Sequence, residues 1–264
     1  MKKLRATLTT LFLFLLLGCY EVNEEVTIRN DGSGTYQMKM DMGGLLEMIQ
    51  MMASEDDLKK EELNRAIDTT ILFKDVIDSA NNLTAQEKAL MKNGKMRLQM
   101  NMKEKVFKAD MDFPFKNYSE LQQLMLGPAS SAGMSKAFQN IFNPGAPATN
   151  DTASAGITDR AVDPGIDQIG QIYDITVKDG LISKKINPEK LKQLMERPEL
   201  AQLKEFKNSG IEINYSTSIK LPRPVKKVDN INLKLSDDKK TISIKYNLMD
   251  MLDNPEKYSW SISF

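Results

Sequence analysis

Cys19 is the only thiol in the 264 residues, and there is no histidine. Those two counts remove the Ser-His-Asp triad, the Cys-His dyad, imidazole metal sites and cysteine clusters for zinc or iron–sulfur. They also remove an internal disulfide. A lone thiolate can still act as a nucleophile and be modified, and that is the chemistry Cys19 offers. The remaining polar groups do not form a catalytic pattern. Carboxylates pair at Glu24-Glu25, Asp56-Asp57, Glu61-Glu62 and at Asp250 with Asp253. A glycosidase needs two carboxyls from separate elements facing each other across roughly 5–9 Å, which neighbours on one element do not supply. Ser236 and Lys239 have the Ser-x-x-Lys spacing of serine acyl-transfer enzymes, yet Ser236-Asp237-Asp238-Lys239 reads as a hairpin turn and not as the opening of a helix. Asn30 to Gly34 has a calcium-loop outline, but Thr27 and Arg29 stand where the first carboxylate ligands belong. No catalytic residue, metal site or cofactor is expected, and the chain is not expected to be an enzyme.

Methionine is the one enriched type, with 17 residues. Thioethers are soft ligands that suit Cu(I), but here they fall on the apolar phase that any sheet must have, so core packing is the expectation. The same flexible side chains adapt to irregular apolar guests. Met38, Met40, Met48 and Met100, with Phe113, are therefore candidates to line a cavity for an acyl chain or lipid. Charge is balanced, with 36 basic and 36 acidic residues, so no nucleic-acid partner is expected.

The elements that position these groups begin with a leader. Lys2, Lys3 and Arg5 precede an apolar stretch from Leu8 to Leu17. Ten residues at ~1.5 Å each cover about half a bilayer's hydrocarbon core, which suits a secretory signal and not a spanning helix. The stretch closes in Leu16-Leu17-Gly18-Cys19, which resembles the lipobox of bacterial lipoproteins. The resemblance implies cleavage after Gly18, a diacylglycerol joined to Cys19 by a thioether, and acylation of the new amino group. Each buried CH₂ adds about 0.8 kcal/mol, so two or three acyl chains anchor stably without a basic patch. Residue 20 is Tyr, where an Asp would mark inner-membrane retention in enterobacterial-type lipoproteins. The expected address is the cell envelope, with the outer membrane favoured over the inner.

Beyond the leader, alternation with period two dominates. It runs through Val22, Val26 and Ile28; Tyr36, Met38, Met40 and Met42; Met96, Leu98, Met100 and Met102; and Phe107, Ala109, Met111 and Phe113. It returns at Tyr173–Val177, Ile182–Ile186, Ile211–Leu221, Ile231–Leu235, Ile242–Leu248 and Tyr258–Phe264. One wet and one dry face argue against a parallel sheet. The expectation is an α+β fold: a large curved antiparallel sheet of about ten strands with helices packed on one face. Helix starts are expected at Ser54, Thr84, Asn117 and Asn187-Pro188, and helical stripes at Leu45–Met52 and Leu200–Phe206. Residues 19–126 and 171–264 form two parts of that single domain. Between them, 127–170 is half Gly, Pro, Ser and Ala and is expected to be a flexible insertion carrying a short amphipathic helix. Phe138 and Phe142 on that helix either dock back onto the domain or meet a partner protein.

The opening hairpin, Glu25-Val26-Thr27-Ile28, Asp31-Gly32-Ser33-Gly34 and Tyr36-Gln37-Met38-Lys39-Met40, resembles that of LppM-type envelope lipoproteins. The resemblance covers about the first fifty residues and implies an antiparallel sheet packed against helices. The functional expectation is a lipid-anchored, non-enzymatic envelope lipoprotein, tied to the membrane through Cys19, that binds an apolar ligand in a Met-rich cavity. The alternative is an accessory or scaffold lipoprotein of an envelope protein complex.

Overall fold

The structure, a computed structural model, describes residues 19–44, 46, 66–75, 77, 84–126, 172–196 and 212–264. The first hairpin forms as its residues dictate. Strand β1 (Cys19–Ile28) and strand β2 (Gly34–Asp41) pair antiparallel through a turn in which Gly32 takes φ +79° and the Ser33 backbone N–H donates to Asp31 Oδ1 at 3.0 Å. Only glycine adopts that φ cheaply. Strands β3 (Ile67–Leu72), β4 (Lys95–Asn101) and β5 (Val106–Phe115) extend the sheet on the β2 side. Strands β8 (Glu212–Lys220), β10 (Lys234–Leu235) and β11 (Thr241–Asn247) extend it on the other, giving the order β10-β11-β8-β1-β2-β5-β4-β3.

A second sheet has the order β6-β7-β12-β9, made of Tyr173–Lys178, Leu181–Ile186, Trp260–Ser263 and Lys227–Val228 in that spatial order. Alternation puts Val22, Val26, Met40, Leu98, Phe113, Ile219 and Ile244 of the first sheet, and Tyr173, Val177, Ile182, Trp260 and Ile262 of the second, into one continuous core. Both sheets are open.

The helices start where capping chemistry places them. Thr84 and Glu87 form a reciprocal box before α1 (Ala85–Met91), and Asn117 Oδ1 accepts from the Glu120 N–H at the start of α2 (Tyr118–Leu126). Asn187 caps α3 (Pro188–Met195) with Pro188 in the first turn. Helix α4 (Leu248–Asp253) is capped by Asn247. Helix α2 buries Leu121, Leu124 and Met125, and its Gln122 Oε1 accepts the Val177 N–H at 2.8 Å, satisfying a donor of edge strand β6.

The α+β class is the one expected, and the finer arrangement differs in four respects. The strands divide between two sheets. The pair β1–β8 is parallel, in register Cys19↔Glu212 to Thr27↔Lys220. Side-chain alternation reports which face is wet but not the direction of the neighbouring strand, so this pairing left no mark in the pattern. The strand expected over Ile231–Leu235 shrinks to Lys234–Leu235, because Asn230 and Asn232 turn their amides onto the carbonyls of Lys257 and Ser259 and hold the preceding residues out of the ladder. Leu248, read as the end of a strand, instead opens α4 behind its Asn247 cap. The leader 1–18, the helices expected at 54–57 and 200–206, most of the 45–52 stripe and the insertion 127–170 lie outside the described residues.

Candidate functional site

Cys19 is the first residue of β1, a central strand held on both flanks: Glu21 faces Asp41 on β2, and Cys19 itself faces Glu212 on β8. Tyr20, next in line, is buried at 8% exposure with its hydroxyl 3.6 Å from Met40 Sδ. The residue read as a sorting position therefore also serves the core. Any group carried by Cys19 would be joined to the sheet with no intervening tether.

Of the residues expected to line a ligand cavity, the described ones, Met38, Met40, Met100 and Phe113, sit on the dry face. Met38 faces Met111, which faces Met96, so three methionines form one row across β2, β5 and β4. Met40 faces Ala109, Met100 faces Phe107, and Phe113 faces Tyr36. Met40, Met100 and Phe113 are buried, Met38 is partly buried, and Phe113 packs 5.2 Å from the Phe73 ring. They meet as members of the packed core. Met48, Phe138 and Phe142 lie outside the described residues. An open cleft of about 350 Å³ lies elsewhere, between α1 and α2; Gln86, Leu90, Asn93, Phe115, Asn117 and Gln123 are among its walls, and Met38, Met40, Met100 and Phe113 are not.

Between the two sheets is a polar cluster that sequence reasoning missed. Glu24 on β1 accepts hydrogen bonds from Tyr36 Oη at 3.0 Å, Thr217 Oγ1 at 2.8 Å and Lys184 Nζ at 3.4 Å. Lys184 reaches it from β7 in the second sheet, and its ammonium also lies 4.8 Å from the centre of the Tyr173 ring. Exposure is 7% for Glu24 and 9% for Lys184. Beside them Tyr215 and Tyr246 stack at 5.2 Å, and Tyr258 packs on Tyr246 while bonding Asp250.

Burial by itself would lower the Lys184 pKa. The Glu24 carboxylate and the Tyr173 hydroxyl more than offset it, and the ammonium is held above the ordinary lysine value. Burial, with the nearby Glu24 charge, raises Tyr36 well above an ordinary phenol, and burial is the main cause of the rise at Tyr173 and Tyr215. A general acid or base must come within hydrogen-bond reach of a substrate. Here the lysine and carboxylate spend that reach on each other across the layer interface, so the arrangement works as a link between sheets. Its signal was present in the alternation: Glu24 and Lys184 occupy the apolar phase of Val22–Glu24–Val26 and Ile182–Lys184–Ile186.

No protein-family model matches the chain, and no curated protein matches it in sequence. A solved structure, the folded domain of LppM from Mycobacterium tuberculosis determined by NMR, is similar with a TM-score of 0.35 and 6% identity, over 92% of this chain and 88% of that one. A score of 0.35 is too low for the structural similarity to bear on function.

Proposed function

We propose that the chain is a lipid-anchored, non-enzymatic protein of the bacterial cell envelope, held to a bilayer through a thioether-linked diacylglycerol on Cys19. The observation that carries this reading is the motif itself: Lys2, Lys3 and Arg5 precede an apolar stretch that closes in Leu16-Leu17-Gly18-Cys19, with the chain's single thiol at its last position. Residue 20 being Tyr favours the outer membrane as the destination. Replacing Cys19 with Ala tests the anchor. The parent protein should fractionate with membranes and carry the mass of the cleaved chain with its diacylglycerol and N-acyl group, whereas Cys19→Ala should accumulate as a precursor without lipid. A bare thiol in the matured parent chain, or palmitate labelling that persists in the variant, would defeat the assignment.

For the role of the anchored domain, a scaffold that meets another envelope protein is favoured over carriage of an acyl ligand. The supporting observation is that Met40, Met100 and Phe113 are packed against core neighbours. Deleting residues 130–160, which hold Phe138 and Phe142, should abolish recovery of a cross-linked envelope partner without lowering the melting temperature. A co-purified lipid released from the full chain on extraction, with retained partner-free function, would reverse that preference.

A further inference from the structure

The segment expected as a strand over Ile231, Leu233 and Leu235 instead holds one aliphatic side chain out in water. Ile231 is 99% exposed, and Leu235, just beyond it, is 42% exposed. The loop that presents Ile231 is not slack. Asn230 Nδ2 donates to the carbonyls of Lys257 at 2.9 Å and Ser259 at 2.8 Å, and Asn232 Nδ2 donates to Lys257 at 3.0 Å. The Asn232 N–H donates to Asn230 Oδ1 at 2.7 Å, the Asp229 N–H donates to the Ser261 carbonyl at 3.1 Å, and Leu233 is buried. A single exposed aliphatic residue is ordinary on a protein surface. One kept at full exposure by a hydrogen-bonded frame, unable to fold back onto the core, is a presented group.

Its place in the fold says to what it is presented. Lys257 and Ser259 lie in the 254–259 segment that follows α4, and α4 follows the end of β11. That end, Asn247, pairs with Asn214, two residues along β8 from Glu212, the partner of Cys19. The loop is thus fastened to the elements that continue from the Cys19 end of the large sheet. Exposed Lys234 and Lys257 flank it, balanced by the exposed acids Asp229 and Glu256. Long ammonium stems suit headgroup phosphates while an aliphatic neighbour enters the acyl boundary.

We propose that the Asp229–Leu233 loop is a second membrane contact, with Ile231 entering the bilayer surface that carries the anchor on Cys19. This rests on the anchored reading above. A lipid on one residue leaves the domain free to swivel; a second, rigid apolar contact on the same end sets its tilt, with the strands leading away from the bilayer.

The test uses the full chain matured in a bacterial host and reconstituted into phosphatidylethanolamine–phosphatidylglycerol vesicles. Ile231→Cys and, as a control, Asp237→Cys at the opposite end of the β10–β11 hairpin are labelled with an environment-sensitive maleimide dye. Thioether-linked Cys19 takes no label, so the parent protein reads the anchor separately. The expected result is an unlabelled parent, a blue shift and nitroxide-lipid quenching at position 231 with protection from iodide, and no such change at 237. Equal iodide quenching at both positions, with an unlabelled parent, overturns the loop contact and leaves the anchor. A labelled parent overturns the anchored reading and the loop contact with it. A shift at 231 that needs added envelope proteins also overturns the proposal, in favour of a protein partner.

Discussion

Glu24 and Lys184 are opposite charges placed where alternation calls for apolar side chains, and they are tolerable there because each neutralises the other. Taking either out alone leaves a charge enclosed between two sheets. Loss of one partner of a buried pair typically costs about 3–5 kcal/mol, whereas replacing both with apolar or neutral groups is often close to neutral. Glu24→Gln and Lys184→Met should therefore each lower unfolding free energy by about that amount, and the double variant should recover much of the loss. Urea unfolding of the four proteins checks it; strictly additive losses would mean that the two residues act independently. At this scale the sequence was half legible. The apolar-phase positions of both residues could be read directly, but their sequence separation of 160 hid their meeting.

At the scale of elements, local chemistry was the most readable. The box at Thr84, the Asn117 cap and the Asn187-Pro188 start all act within one turn, so the residues that decide them are close in sequence. The β1–β2 turn is equally local, but the constraint on Gly34 is not. A Cβ there would come within 1.9 Å of the Thr27 carbonyl oxygen and 2.4 Å of the Phe115 ring, one on the paired strand and one on β5. The backbone oxygen cannot give way without breaking the β1–β2 ladder. Gly34→Ala should cost about 3 kcal/mol or more, at or above the upper end of ordinary overpacking penalties, and thermal melting followed by circular dichroism measures it. An unchanged melting temperature would show that the hairpin is looser than its register implies. Alternation misled where Asn230 and Asn232 found distant carbonyls, because a side-chain amide that bonds residues 25 to 29 positions away leaves no trace in a periodic pattern.

The whole molecule behaves as two layers around one core, and the tyrosines bind that core to pH. Burial is the largest cause of the raised pKa at Tyr36, Tyr173, Tyr215 and Tyr246, and Tyr258, also bonded to Asp250, is pushed up to about 12. Lys184 is raised by Glu24 against its own burial. All of these groups bind protons more tightly folded than unfolded, so their stabilising contribution is complete below about pH 10 and is lost as pH rises further. The expected outcome is alkaline unfolding in a single step. Phenolate absorbance and the fluorescence of Trp260, buried in the second sheet, should change together with pH. Phenolate appearing gradually while Trp260 stays native would show that the tyrosines titrate in the folded state.

From its residues alone the chain declared its lack of histidine and disulfide chemistry, its alternating strands, its α+β class and its helix caps. Each depends on residue type or on neighbours within a turn or a pleat. The division into two sheets, the parallel β1–β8 pair, the Glu24–Lys184 link and the outward-facing Ile231 were decided only in three dimensions. Strand direction, layer partners and long-range hydrogen bonds are set by which distant surfaces can be buried together, and a one-dimensional pattern carries the face of each strand but not the identity of what covers it.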